Sequence, residues 1–212
     1  MKITWLGHAS FRIETKGGFV IYIDPFEGDD SEYDKTANLI LISHHGYHHL
    51  GYEKVRMIRQ DETSILTNSQ TAYELNGTSG VVGEKYEFGE VKVKPVHAYS
   101  LRPGIGGVKG EGLGFLIYIE NKLLYFAGGT DLIPEISEVV CDIALLPVCG
   151  SRTMGPDEAA EAVSLIKPKI AIPMYWGAHV GTIDDAELFK ELVEQKNSVK
   201  VLIPMPAEVI EL

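Results

Sequence analysis

Two successive series of short apolar or alternating segments constrain the fold of this chain most strongly. Runs of four to eight such residues, bounded by turn residues, are typical of β-strands. The predicted strands are Lys2–Leu6, Phe11–Thr15, Phe19–Ile23, Leu39–Ile42 and Ser64–Thr67, then Glu90–Val96, Leu113–Glu120, Lys122–Ala127, Asp142–Val148, Ile170–Met174, Val199–Ile203 and Glu208–Leu212. Helices are predicted over Tyr52–Arg59, Gln70–Leu75, Pro156–Ile166 and Asp184–Lys196. Two strand groups, each with its own helices, favour one α/β sandwich that spans residues 1–212 as a single domain.

Composition narrows the classes of partner. The formal net charge of −11 disfavours a nucleic-acid partner, because binding a phosphate backbone requires clustered Lys and Arg. No apolar run reaches the length of a membrane span, and no signal-peptide pattern is present, so we expect no membrane partner and a cytoplasmic location. Cys141 and Cys149 lie too far apart along one extended run to form a disulfide, which predicts two reduced thiols.

A histidine-rich stretch follows the apolar run Leu39–Ile42. Four of the seven histidines of the chain, at positions 44, 45, 48 and 49, fall within Ser43–Gly51. A buried strand that ends in such a cluster brings several imidazoles to one edge of a sheet. Neutral imidazole is the commonest metal ligand in proteins, so this edge is a candidate metal site.

Seven short motifs, in order, resemble the metallo-β-lactamase superfamily. They are Trp5–Phe11, Ile23–Phe26, Leu39–His44, Tyr125–Gly128, Ala144–Pro147, Thr153–Pro156 and Ile172–Met174. Within the superfamily, the motifs resemble in particular the branch of small soluble hydrolases related to ascorbate-6-phosphate lactonase. The resemblance implies a four-layer αββα sandwich, with an active site along one edge where loops from both sheets meet.

Active members of that superfamily hold two zinc or similar ions, and the resemblance implies which positions would bind them. Two ligand positions keep a histidine, His44 and His49. Five positions have changed: they now hold Gly46, His48, Gly107, Gly129 and Tyr175. Glycine offers no side-chain ligand, and the change at position 129 removes the carboxylate that bridges the two ions. The pattern therefore predicts that the usual dinuclear site is dismantled.

Three hypotheses about function follow. The first is a protein that binds a small molecule or a partner, with weak or no hydrolase activity and no metal. In this hypothesis the glycines at 46, 107 and 129 enlarge a concavity, and the side chains of Tyr175 and Trp176 partly fill it. The second is a hydrolase of phosphodiesters, lactones or thioesters with one rebuilt site for zinc or another divalent metal. The third is metal-free catalysis with a histidine as the general base and a tyrosine that stabilises an oxyanion.

Each hypothesis assigns roles to particular residues. The rebuilt metal site would use His44, His48 and His49. His8, Asp24 and Asp131 would line the pocket, or ligate or orient a ligand. In metal-free catalysis the base would be His44 or His97, and the oxyanion would be stabilised by Tyr175. His179, between Gly177 and Gly181, is interpreted as part of an ordinary connection. The glycine-rich loop Ser100–Gly112 is interpreted as either a lid or a mobile loop.

Overall fold

The computed structural model describes residues 1–102, 107–196 and 198–212. Its strands form two seven-stranded sheets, and its helices lie outside them. The first sheet contains, in chain order and side by side, β1 (Lys2–Gly7), β2 (Ser10–Glu14), β3 (Val20–Ile23), β4 (Leu39–Leu41), β5 (Ser64–Thr67) and β6 (Thr78–Ser79). Its last strand, β14 (Val209–Glu211), pairs with β1 and forms the edge opposite β6. The second contains β7 (Tyr86–Phe88), β8 (Val91–Ala98), β9 (Gly112–Ile119), β10 (Lys122–Phe126), β11 (Ile143–Pro147), β12 (Ile170–Met174) and β13 (Lys200–Val201). The helices are α1 (Tyr52–Ile58), α2 (Ser69–Leu75), α3 (Pro156–Ile166) and α4 (Ile183–Lys196), with 3₁₀ turns at Asp30–Tyr33 and Pro134–Glu138.

Both sheets mix antiparallel hairpins with parallel strands. In the first sheet β1, β2 and β3 are antiparallel, and β3 to β6 run parallel. In the second sheet β7 to β10 are antiparallel, and β10 to β13 run parallel. Parallel strands carry their carboxyl ends to the same edge of a sheet, which places the loops after β3, β4, β10 and β12 where a site can form.

Two hydrophobic layers produce the αββα order. The larger core lies between the sheets, where Phe11 of β2 meets Phe126 of β10 edge to face, with ring centroids 6.2 Å apart. A second core packs Ile40 and Ile42 against Val55 and Ile58 of α1. On the far side, α3 and α4 pack against each other and cover β11 and β12. The predicted four-layer αββα sandwich is confirmed.

Local sequence explains several element bounds. Glu158 accepts a hydrogen bond from the Gly155 amide at the start of α3, where Pro156 occupies the first helical position. Asn68 accepts the Thr71 amide at the start of α2. The predicted strands Ser64–Thr67 and Ile170–Met174 match the structure residue for residue. None of the helices in the described part of the chain is long and apolar enough to cross a membrane.

Candidate active site at the edge shared by the two sheets

Backbone hydrogen bonds join the two sheets at the edge where the histidine loop lies. The Leu113 amide, in the second sheet, donates to the carbonyl of Ser43 after β4, at 2.8 Å. The Tyr175 amide, after β12, donates to the carbonyl of His8 in the turn between β1 and β2, at 3.0 Å. These bonds hold loops from both sheets side by side, as the resemblance implies.

Asp24, His49 and Tyr175 form a buried chain of hydrogen bonds at this edge. His49 Nδ1 lies 2.7 Å from Asp24 Oδ2, and His49 Nε2 lies 3.1 Å from the hydroxyl oxygen of Tyr175. Asp24 is fully buried, and His49 and Tyr175 are only 5 % and 4 % exposed. A neutral imidazole has one donor and one acceptor nitrogen. His49 therefore donates from Nδ1 to the carboxylate and accepts the phenol proton at Nε2, so both of its ring nitrogens are engaged.

Ser43 connects the same carboxylate to His44. The Ser43 hydroxyl lies 2.6 Å from Asp24 Oδ2 and 3.0 Å from His44 Nδ1, and the Ser43 amide donates to Asp24 Oδ1 at 2.6 Å. Because the hydroxyl has a single proton, which it donates to the carboxylate, it accepts from His44 Nδ1–H. The lone pair of His44 is consequently on Nε2, and the residue as a whole is partly exposed.

Burial sets the charges of these groups. It lowers the pKa of His44 and of His49 to about 3, and the neighbouring His49 and His48, respectively, lower them further. Both imidazoles are thus neutral at pH 7. Burial raises the pKa of Asp24 to about 7, opposed by nearby His44 and by the bonds from Ser43. Burial also raises the pKa of Tyr175 well above its ordinary value, so its hydroxyl keeps its proton.

The backbone at this edge adopts conformations that residues other than glycine rarely adopt. Positive φ angles occur at His8 (48°), Asp24 (44°), Tyr175 (65°) and His179 (62°). Each such residue costs about 1–3 kcal/mol, and such residues concentrate at functional sites. Four of them around one cluster of side chains mark this edge as the functional candidate.

The three glycines at the ligand positions that the resemblance implies, Gly46, Gly107 and Gly129, have different surroundings. A Cβ at Gly129 would lie 3.0 Å from the Tyr175 hydroxyl, and a Cβ at Gly46 would lie 2.8 Å from His44 Nε2. At Gly107 nothing lies within 4 Å of that point. Tyr175 thus fills the space beside Gly129. Trp176 instead stacks on Trp5, with ring centroids 4.5 Å apart, and donates to the Pro173 carbonyl, so it belongs to the core.

A second group of rings lies beside this network. His8, His48 and His179 are mutual neighbours, and Phe26 packs against both His48 and His179. His179 Nε2 also lies 2.6 Å from Glu27 Oε2. The interpretation of His179 as an ordinary connection overlooked this contact, because nothing in a Gly-Ala-His-Val-Gly loop indicates where its imidazole lies.

Two predicted residues, His97 and Asp131, occupy other surroundings. His97 lies within β8, and its ring neighbour is Tyr99, at 6.3 Å between centroids. The Asp131 carboxylate accepts from the Ser100 hydroxyl and the Leu101 amide and pairs with Arg102. Asp131 therefore anchors the start of the glycine-rich loop, of which residues 103–106, including Gly104 and Gly106, lie outside the described residues.

The side chains at this edge do not form a ready set of metal ligands. Within residues 1–102, 107–196 and 198–212, no three His, Cys, Asp or Glu side chains are already arranged to hold an ion. His49 has no free nitrogen, and positions 46 and 129 have no side chain. These side chains do not fit the two-ion centre that the resemblance implies.

Comparison with known proteins places the chain in a family. The sequence model of the β-lactamase superfamily domain matches residues 2–175. A UPF0173 metal-dependent hydrolase from Desulforamulus reducens is 32 % identical over 231 residues, and the match covers all of both chains. Another from Thermococcus onnurineus is 34 % identical over 229 residues, again over the full length of both chains.

A solved structure has the same architecture. A crystal structure of a protein from Parabacteroides distasonis superposes with a TM-score of 0.84 at 27 % identity, over 95 % of this chain and 91 % of that one. The finer likeness to ascorbate-6-phosphate lactonase stays a prediction. With its αββα fold, its motifs and these full-length matches, the chain belongs to the metallo-β-lactamase superfamily and is a metal-dependent-hydrolase-like protein.

Proposed function

We propose that this protein binds a small molecule at the shared sheet edge and has weak or no hydrolase activity, because a hydrogen-bonded network has replaced the dinuclear metal centre. One observation carries the proposal: the Tyr175 hydroxyl lies 3.1 Å from His49 Nε2. The nitrogen that a metal would need is already occupied by a side chain of the protein.

Binding a metal at His49 would require this network to be broken. The Tyr175 hydroxyl would lose its partner inside a site where it is 4 % exposed. An unsatisfied buried polar group costs about 1–3 kcal/mol. The carboxylate of Asp24 is committed as well, to His49 and to two donors of Ser43. The side chains of the network therefore satisfy one another's hydrogen bonds, and an ion would have to displace these bonds in order to bind.

The ligand would meet the partly exposed rim of this network. His44, Gly46, His48 and Gly129 are all partly exposed, above the buried Tyr175. His44 offers Nε2 as an acceptor, because its Nδ1 proton is committed to Ser43. The rim thus favours a small ligand that donates a hydrogen bond to a neutral imidazole, and a partner protein is the alternative occupant.

Metal analysis tests the proposal. Untagged protein purified without chelators, with and without a subsequent zinc incubation, is compared with His44→Ala and with Gly46→His/His48→Asp/Gly129→Asp/Tyr175→His, which restores the ligand type that the resemblance implies at four of the five changed positions. We expect the same metal content in wild type and His44→Ala, and additional metal in the fourfold variant. Two equivalents in wild type, or a loss of metal and of esterase or phosphodiesterase activity in His44→Ala, would refute the proposal.

A single-metal hydrolase of phosphodiesters, lactones or thioesters is the second candidate function. Two observations support it. The relatives of this chain are named metal-dependent hydrolases. In addition, the Nδ1 atoms of His8 and His48 are buried without a hydrogen-bond partner. An ion there could lower the pKa of a bound water toward neutrality.

Metal-free general-base catalysis is supported less well. A pKa of about 3 makes His44 a weak base at pH 7, far from the match between pKa and working pH that efficient proton transfer requires. Tyr175 is committed to His49 and is not aimed at the exposed rim as an oxyanion donor.

A further inference from the structure

We infer that a cleft on the outer face of the second sheet binds a small amphipathic carboxylate. This outer cleft lies between β8, β9 and β10 and the 3₁₀ turn Pro134–Glu138, and its volume is about 320 Å³. None of the residues that line it belongs to the Asp24–His49–Tyr175 network. The site therefore does not depend on the proposed binding function, and either can fail alone.

Strand register defines the floor of the outer cleft. Lys94 of β8 lies opposite Leu116 of β9, which lies opposite Tyr125 of β10. Phe126, the next residue of β10, meets Phe11 in the core between the sheets. Because side chains alternate between the two faces of a strand, Lys94, Leu116 and Tyr125 point away from the other sheet. All three line the cleft.

The walls of the outer cleft are aliphatic. Ile136 and Val139 belong to the 3₁₀ turn and the residue after it, and Val82 and Val96 complete the lining with Leu116. Val82, Val96 and Leu116 are only half-buried, although they pack against the core. Clefts of about 300–1,000 Å³ that combine an apolar lining with a few polar groups are typical of small-molecule sites. The cleft thus favours a ligand with an apolar body.

Lys94 gives the outer cleft a positive charge that no carboxylate of the described residues pairs with. Lys92, the preceding residue on the same face of β8, already forms an ion pair with Glu87 at 2.8 Å. Lys94 is half-buried beside the aliphatic lining. An ammonium group in such surroundings is complemented by a carboxylate, which accepts a charge-assisted hydrogen bond from it.

Two glutamates also line the outer cleft, and neither cancels this charge. Glu135 accepts hydrogen bonds from the Tyr99 hydroxyl at 3.0 Å and from Lys109 Nζ at 2.5 Å, so its own charge is compensated. Glu138 is exposed, and salt and water screen its repulsion of an anion. Neutralising Glu138 should consequently strengthen binding, whereas neutralising Lys94 should weaken it.

His97 supplies an observation independent of charge. Its ring lines the outer cleft, and its Nδ1 is buried without a hydrogen-bond partner in the described part of the chain. Buried polar atoms are normally satisfied. A polar group of a bound molecule would be a partner that the chain itself does not supply, so His97 also points to an occupant of this cleft.

Calorimetric titration of the full-length protein tests the ligand class. The probes are octanoate, octanol and octylamine, which share a chain length and differ in their head group. Octanoate should bind at one site and more tightly than the other two. Lys94→Met should weaken octanoate binding about 3- to 10-fold, between the effects of exposed ion pairs and of charged hydrogen bonds. Lys92→Met, the matched control on the same face, should leave affinity unchanged, and Glu138→Gln should increase it.

Two further measurements locate the probe. Val96→Trp and, separately, Val82→Phe fill the outer cleft and should abolish binding, with thermal melting used to confirm that each variant is folded. Octanoate should also shift the ¹⁵N signals of the His97 imidazole. No saturable binding at millimolar octanoate, octylamine bound as tightly as octanoate, equal effects of Lys94→Met and Lys92→Met, or unchanged affinity in both filled variants would each overturn the inference. None of these results bears on metal content or on the shared sheet edge, so the proposed function is tested separately.

Discussion

The glycine at position 129 and the tyrosine at position 175 should be energetically coupled. A Cβ on residue 129 would lie 3.0 Å from the Tyr175 hydroxyl, and the φ of Gly129 is not positive, so an alanine there meets a steric obstacle and no backbone strain. The hydroxyl cannot easily retreat, because it is buried and bonded to His49 Nε2. Gly129→Ala should therefore lower the free energy of unfolding by about 1–3 kcal/mol, the range for overpacking.

Removal of the hydroxyl should relieve that cost. Tyr175→Phe by itself should destabilise by about 1–3 kcal/mol, because it leaves the His49 acceptor without a partner in a buried site. In the double variant the added methyl no longer meets the oxygen. The two losses should fall short of additivity by about 1 kcal/mol, within the range measured for residues in contact.

Urea unfolding of the four proteins measures this coupling directly. Midpoints and slopes should be compared together, so that a change in the unfolded state is recognised. Gly107→Ala is the matched control: a Cβ there meets nothing within 4 Å, so it should be neutral and additive with Tyr175→Phe. If Gly129→Ala and Tyr175→Phe add to within about 0.5 kcal/mol, the hydroxyl does not occupy the space beside residue 129 and the reasoning is wrong.

Three further predictions concern acid, thiols and the shared carboxylate. Several histidines have pKa values lowered by burial to about 3 (His8, His44 and His49). Their contribution to stability is present above the unfolded-state pKa of 6.5 and is lost as the pH falls from 6.5 to 3, whereas the raised pKa of Asp24 acts in the opposite direction above pH 3.8. Because three histidines outweigh one aspartate, the melting temperature should fall from pH 7 to pH 4. A flat profile would contradict neutral buried imidazoles. Burial raises the pKa of Cys141 to about 12, so a thiol reagent should titrate only the partly exposed Cys149 in native protein, and Cys149→Ser should abolish the reaction. Asp24→Asn should cost about 1–3 kcal/mol in urea unfolding, because its amide cannot accept all three of the present donors; an unchanged midpoint would show that the network is not organised around this carboxylate.

The helices and strands could be predicted from sequence because they carry strong local signals, whereas the four-layer arrangement followed from the resemblance. Pro156–Ile166 has proline and acidic residues in its first turn, and it is a helix over the predicted bounds. The strand Ile170–Met174 is uniformly apolar and was likewise predicted residue for residue. The strands Thr78–Ser79 and Tyr86–Phe88 escaped prediction, since they are two and three residues long and lack a buried face.

The site was less predictable, because side-chain contacts depend on loops that no periodicity describes. The resemblance to the superfamily implied that Asp24, His49 and Tyr175 would lie near one another, but not that they bond in a chain. It also pointed to His97 as a residue of the same edge, although His97 lies within a strand beside Tyr99. It gave no reason to connect His179 with His8.

The glycine at position 129 and the tyrosine at position 175, both at ligand positions that the resemblance implies, depend on each other physically. An aspartate at 129 would crowd a tyrosine at 175, because even the first side-chain atom at 129 lies 3.0 Å from the phenol oxygen. A tyrosine at 175 is thus accommodated best with glycine at 129, and its hydroxyl then satisfies His49 Nε2. Introducing a carboxylate at 129 alone should consequently yield a destabilised protein that gains no metal. Only with Tyr175→His in the same chain should the carboxylate find both space and a neighbouring ligand.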